Sequence, residues 1–377
     1  MVPFNMIRQW MTSQLGLPLK SKHWLFLAFM GPLSLVYGFL SQFRNFLFDS
    51  GIMRVEKLPG KTVSVGNIVL GGTGKSPFAI YIAQYLKSKG FSPAIVTRGY
   101  RSVLLSNETI VLQNMKFLLK LSDARNRVVQ EVSDLKADEA IMYSAALPDV
   151  PIIIGRRRSV AVKRFLRELP DVAREVTHWI LDDGFQHRSI FRDIDLVLVD
   201  AERPLGVGSL LPLGDLRESP RSLKRASAIF FTHAASKTES DADIETSEFA
   251  EGIVFNKECP TSHVVFSNDV PTSPHSKKQI SPTDFPVFAI AAIARPERFL
   301  KALETFDIPV AEKLTLPDHA KLSKKMLAAH GEVCRSIVTT AKDYWRDSSL
   351  FSDLPIPVYI FPQKVDVDGN FLSFLFN

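Results

Sequence analysis

Residues 62–77 read TVSVGNIVLGGTGKSP, and the two halves of this run obey different rules. From Thr62 to Leu70 apolar and β-branched residues follow one another without a charge, as in a strand buried on both faces of a parallel sheet. Gly71, Gly72, Thr73, Gly74, Lys75 and Ser76 then turn the chain, and PFAIYIAQYLKSKG (77–90) continues with helical periodicity up to a closing Gly90. A strand, a glycine-rich corner and a helix form the context that a phosphate-binding loop needs. Glycines let backbone N–H groups close around phosphate oxygens, and the helix N-terminus adds partial positive charge. Lys75 is then placed to reach the β- and γ-phosphates of ATP, and Ser76 to ligate Mg²⁺. Val69 stands where the strict pattern has its first glycine, so the loop is a variant of the glycine-glycine-x-glycine-lysine kind; an incidental glycine-rich turn is the competing reading.

Outward from this corner, PAIVTRGY (93–100), VPIIIG (150–155), THWIL (177–181) and IDLVLVD (194–200) are further apolar runs of strand length. Their spacing predicts a P-loop NTPase-type, doubly wound, mostly parallel α/β sheet. From about residue 233 the chain turns rich in Ser, Thr, Asp, Glu and Pro, which reads as surface loops in a second, smaller α/β domain. Regular patterning resumes at FPVFAIAAI (285–293), RPERFLKALETF (295–306) and RSIVTTAKD (335–343). The expected division is an N-terminal membrane-interface region over 1–50, a nucleotide-binding domain over 51–204, and a second α/β domain over 205–377 that completes the cleft.

A length of 377 residues with 46% hydrophobic and 23% charged residues suits a globular chain with more than one core. Cys259 and Cys334, the only two cysteines, have no metal-ligand spacing and support neither a zinc site nor a disulfide framework. Most of the net charge of +6 lies in the first 61 residues, where Arg8, Lys20, Lys22, Arg44, Arg54, Lys57 and Lys61 face only Asp49 and Glu56. That collar points to an anionic membrane surface and away from nucleic acid, which would need a basic, aromatic-bearing platform. Between Lys22 and Arg44 no residue carries a formal charge, and the run is long enough to span a bilayer. Its periodicity is two-faced: Phe26, Phe29, Met30, Leu33, Val36, Tyr37, Leu40 and Phe43 share one side, and Gly31, Ser34, Gly38, Ser41, Gln42 and Asn45 the other. An amphipathic helix lying in the interface is the expectation, bent or started by Pro32, with a spanning helix and a core helix as alternatives.

A P-loop needs an acidic metal partner at the end of a neighbouring strand, and Asp182-Asp183 after THWIL supplies it, followed by Gly184-Phe185-Gln186-His187. By residue chemistry alone such a pair also serves as a helix-capping strand end. Asp138 in KADEAIMYSAA reads equally as a solvated helix face, His319 after Pro317-Asp318 as a capping turn, and Arg156, Arg157 and Arg158 as a solvated loop. Arg98 and Tyr100 end a strand, where ligand-contacting residues gather in doubly wound sheets.

Taken together, SVGNIVLGGTGKSP, TRGY, ADEA (137–140), LDDGFQHR (181–188), DAERPLGVGSLLPLGDLRESP (200–220), AIARPERFL, PDH (317–319) and TTAKD resemble the tetraacyldisaccharide 4′-kinases of lipid A biosynthesis. That resemblance implies an ATP- and Mg²⁺-dependent lipid kinase acting on the 4′-hydroxyl of an acylated glucosamine disaccharide. It also implies a place on the cytoplasmic face of the bacterial inner membrane, with no obligate protein partner. It assigns Lys75 to the phosphates within the Gly71–Ser76 loop, Ser76, Asp182 and Asp183 to the metal, and Asp138 with His319 to the acceptor hydroxyl. Arg98, Tyr100, Glu139, Arg158, His187 and Glu218 match other active-site positions. Ala137, Ser76, Val207, Leu213, Asp215 and Ala320 depart from the family pattern. The rival reading is a membrane-associated P-loop ATPase switch acting on a protein partner; the asparagine-lysine-x-aspartate signature of a GTPase is absent, since NKEC (256–259) fails its last position.

Overall fold

The computed structural model describes residues 23–99, 102, 104, 108–121, 131–232, 259–274, 276–293, 295–317, 320, 322–328, 333–346, 348–352 and 354–376. The fold is mixed α/β, with a large, mostly parallel sheet and a separate four-stranded sheet. By internal packing the chain divides into two units that are discontinuous in sequence.

The first unit takes the chain up to Lys75, then Asp183–Val265 and Val367 onward. Its sheet is built from β1 (Lys61–Gly66), β7 (Ile194–Asp200), β8 (Ala228–Thr232) and the start of β9 (Thr261–Asn268), each parallel to its neighbour. Every residue of β7 and β8 is buried, which is why these strands read as unbroken apolar runs. β9 lies within the stretch expected to be surface loop. Its sequence, TSHVVFSN, has too little apolar character to mark it, and pairing with β8 supplies what composition does not.

The second unit takes Ser76–Asp182 and Phe266–Asp366. Here β6 (His178–Asp182) and β5 (Ile152–Ile154) flank β2 (Pro93–Thr97) in parallel, and β3 (Thr109–Gln113) and β4 (Lys116–Leu121) extend the sheet antiparallel. The four-stranded sheet orders β11 (Val310–Thr315), β10 (Val287–Ala291), β12 (Ser336–Thr340) and β13 (Val358–Phe361), all parallel. Helix Ala341–Arg346 packs on helix Asp138–Ala146, joining the smaller sheet to the rest of this unit. The TTAKD motif explains itself here: buried Asp343 accepts from Ala292 N–H (2.9 Å) and Thr340 Oγ1 (2.8 Å), tying β12 to the end of β10.

The N-terminal helix runs from His23 to Asp49, continuously through Pro32. Among the described residues no helix is long and apolar enough to cross a membrane. Soluble helices bury their apolar stripe; this one does the reverse. Ser34 and Gly38 are buried against the protein, whereas Leu35, Val36, Phe39, Leu40, Phe43 and Phe46 are exposed, Leu35 by 77% and Phe39 by 68%. Tyr37, placed on the apolar side by periodicity, lies instead on the packed side and donates its hydroxyl to Arg217 O at 2.8 Å.

Candidate phosphate-binding and metal-binding site

The last residue of β1, Gly66, is a glycine for a steric reason. A Cβ there would stand 2.5 Å from Phe185 Cβ and 2.8 Å from Phe185 N, so only glycine lets the Asp183-Gly184-Phe185 backbone close in, with Gly184 N–H donating to Val65 O at 3.0 Å. Buried Asn67 then staples the loop: its Nδ2 donates to Val69 O (2.6 Å) and Thr73 Oγ1 (3.1 Å), and its own carbonyl accepts from Gln186 Nε2 (2.8 Å). Gly71 and Gly74 take φ of +116° and +80°, conformations that residues with a Cβ rarely adopt. Lys75 Nζ ends 3.8 Å from Asp183 Oδ1 and 3.5 Å from Gly71 O.

Asp183 is held from a second side. Arg217 donates Nη1 and Nη2 to its two carboxylate oxygens at 2.6 and 2.9 Å, the two-pronged geometry that fixes a carboxylate in orientation as well as position. Burial works to lower the Arg217 pKa, but the hydrogen bonds and charge of Asp183 outweigh it and the pKa is raised. The cation therefore stays charged.

In the second unit, Asp182 is buried at the end of β6, its Oδ2 accepting from Thr97 Oγ1 at 3.0 Å and its carbonyl from buried Arg158. Ser76 donates to Glu139 Oε1 at 3.4 Å. Helix Asp138–Ala146 begins with two carboxylates, Asp138 and Glu139, where the helix dipole favours negative charge. Asp138 is buried and not part of a solvated face. Tyr143 of the same helix is fully buried, and its pKa is raised well above the ordinary value by burial first and then by the Asp182 and Glu139 charges. It remains a neutral phenol among carboxylates.

Ser76, Asp182 and Glu139 offer hard oxygen donors of the kind Mg²⁺ takes. Among the described residues no group of three or more His, Cys, Asp or Glu side chains is arranged to hold a metal by itself.

Of the other expected residues, Arg98 is exposed just past β2, and His187 is half-buried with a ring nitrogen 3.1 Å from Ser189 Oγ. Tyr100 and His319 lie outside the described residues. Glu218 is fully buried and accepts from Arg44 Nη2 (3.2 Å), Asn45 Nδ2 (2.9 Å) and Arg225 Nη2 (2.8 Å), and so seats the N-terminal helix. Two positions that depart from the family pattern meet here, the backbone N–H of Val207 donating to Asp215 Oδ1 at 2.9 Å. Sequence reasoning missed Asn67, Thr97, Tyr143 and Arg217. Asn67 and Thr97 stood inside quoted motifs, Arg217 one position before Glu218, but nothing local shows where their side chains go.

A family profile described as tetraacyldisaccharide-1-P 4'-kinase matches residues 26–377. A tetraacyldisaccharide 4'-kinase of Chlorobium chlorochromatii (strain CaD3) is 33% identical over 326 residues, which cover 84% of this chain and 81% of that protein. The protein of the same name from Desulfotalea psychrophila (strain LSv54 / DSM 12343) is 31% identical over 330 residues, covering 86% and 89%. Among solved structures, LpxK from Aquifex aeolicus, described as in complex with ATP, superposes with a TM-score of 0.67 at 25% identity, over 91% of this chain and 96% of that one.

Proposed function

This chain belongs to the tetraacyldisaccharide-1-P 4'-kinase family, and on that premise we propose that it transfers the γ-phosphoryl group of ATP to the 4′-hydroxyl of an acylated glucosamine disaccharide 1-phosphate. The observation that carries this is the glycine-rich corner with Lys75 at a helix N-terminus and Asp183 3.8 Å from its ammonium, in a chain matched by the family from residue 26 to its end.

In the transfer, the 4′-oxygen forms a bond to the γ-phosphorus as the bond from that phosphorus to the β,γ-bridging oxygen breaks. ADP leaves with the electron pair, and the hydroxyl proton passes to Asp138, with His319 sharing its charge. Lys75 and the Gly71–Ser76 backbone neutralise and orient the phosphates. Ser76, Asp182 and Asp183 would hold Mg²⁺, directly or through water. Bound there, Mg²⁺ would offset the negative charge that develops on the phosphates. Thr97 orients the Asp182 carboxylate and Arg158 holds its backbone carbonyl. Arg98, Tyr100, Glu139 and His187, which match further active-site positions of the family, are assigned to the substrates.

The outward apolar stripe of helix His23–Asp49, with the basic residues around it, suits an interfacial helix on an anionic bilayer, its acyl-facing residues being Leu35, Val36, Phe39, Leu40, Phe43 and Phe46. This supports a peripheral position at the cytoplasmic face of the inner membrane, where the lipid acceptor resides. Transfer of radiolabelled γ-phosphate to acyl-disaccharide, followed by thin-layer chromatography, tests the proposal. Label should move to the lipid with wild type and not with Lys75→Ala; release of inorganic phosphate alone would favour the ATPase-switch alternative.

A further inference from the structure

Four polar contacts join the packed face of the N-terminal helix to one short segment of chain. Ser34 Oγ donates to Leu210 O (2.8 Å), Tyr37 Oη to Arg217 O (2.8 Å), and Arg44 and Asn45 to Glu218 (3.2 and 2.9 Å). The helix also lies close enough there that a Cβ on Gly38 would stand 2.8 Å from Leu210 Cδ1. Three of these contacts end on Arg217 and Glu218, which are adjacent in the chain and face opposite duties. Glu218 points to the helix, and Arg217 grips Asp183 through both of its terminal nitrogens.

We propose that Arg217 is a positioning residue for Asp183 and that the helix carrying the apolar stripe sets Arg217, through Tyr37 on its carbonyl and Arg44 and Asn45 on its neighbour. The seat of the helix and the orientation of Asp183 are thereby one mechanical unit. This rests on the nucleotide-site reading of Lys75 and Asp183.

The physical basis is the cost of moving any one member. Glu218 is a buried carboxylate whose charge is met by three donors from two elements, and removing donors leaves a charge that must find water or shift. Arg217 N–H also donates to Ile68 O at 2.8 Å, at the foot of the phosphate loop, so its backbone is held from both sides. A displaced carbonyl at Arg217 therefore redirects the side chain. A lysine at this position keeps the charge and loses the fork.

The test compares wild type with Tyr37→Phe, Arg217→Lys and the double variant in mixed lipid and detergent micelles. It reads Mg·ADP affinity by titration calorimetry, kcat, KM for lipid, and Tm. Arg217→Lys should weaken Mg·ADP binding by about tenfold and Tyr37→Phe by about threefold, the sizes expected for a charged and a neutral hydrogen bond. The double variant should be no weaker than Arg217→Lys alone, since residues acting in series are not additive. KM for lipid should stay within about twofold in all, which a generally loosened protein would not show. Asn45→Ala disturbs the seat without touching either mutated residue and should reproduce Tyr37→Phe, which keeps the test open if Arg217→Lys fails to fold. Multiplying losses in the double variant, or wild-type affinity in both Tyr37→Phe and Asn45→Ala, would overturn the proposal. Wild type that binds no Mg·ADP would overturn it together with the nucleotide-site reading.

Discussion

Thr97 donates its hydroxyl to Asp182 at 3.0 Å, and both side chains are buried at the ends of the neighbouring parallel strands β2 and β6. Thr97→Val keeps the shape and removes the donor. Turnover should fall by about tenfold, the effect of losing one hydrogen bond to a charged group. Steady-state kcat beside a melting curve checks it; unchanged kcat in a folded variant would show that Asp182 needs no such support.

Gly66 and Phe185 make a second prediction, about stability. With Phe185 Cβ 2.5 Å from any added methyl, Gly66→Ala must push the Asp183–Phe185 backbone away from β1. A cost of roughly 1–3 kcal/mol is expected from overpacking of this kind. A Tm equal to wild type would mean that this approach relaxes freely.

The exposed stripe of the N-terminal helix should govern membrane attachment without governing the fold. Replacing Phe39 and Phe43 by Ser, both exposed and stacked on one another at 6.1 Å, removes apolar area available to acyl chains. Binding to anionic vesicles should weaken by about tenfold or more, since burying one such side chain contributes roughly 1.5–3 kcal/mol. Tm should hardly move. Co-sedimentation across rising salt gives the readout, and attachment that resists both the substitutions and salt would exclude this stripe as the contact.

Asp138 and His319 should act as one proton-accepting unit. A four-enzyme cycle of wild type, Asp138→Ala, His319→Ala and the double variant should show strong losses in each single and little further loss in the double, with nucleotide affinity kept. Losses that multiply would leave Asp138 acting alone.

The glycine-rich corner at Gly71–Ser76 was legible because its requirements are local. Gly71 and Gly74 are there for backbone angles, Lys75 and Ser76 for groups that the following helix presents, and each requirement is written in consecutive residues. Asp182 and Asp183 were legible for the same reason, as an apolar run that ends in carboxylates. The family resemblance added roles to Asp138, whose burial no local pattern reveals.

What sequence could not supply was direction across space. Strand β9 escaped notice because its stability comes from pairing with β8 and not from its own composition. The N-terminal helix showed two faces, but only the packed structure decides that the small and polar face meets the protein and that Tyr37 belongs to it, since hydrogen-bond partners 180 positions away fix the helix rotation. Glu218 and Arg217 make the contrast sharpest. They are neighbours in the chain, yet one holds the helix and the other holds Asp183, because successive side chains leave the backbone in different directions and the surrounding tertiary structure chooses what each meets. The residue types in the chain determined the chemistry available; the packing of distant segments decided which groups that chemistry joins.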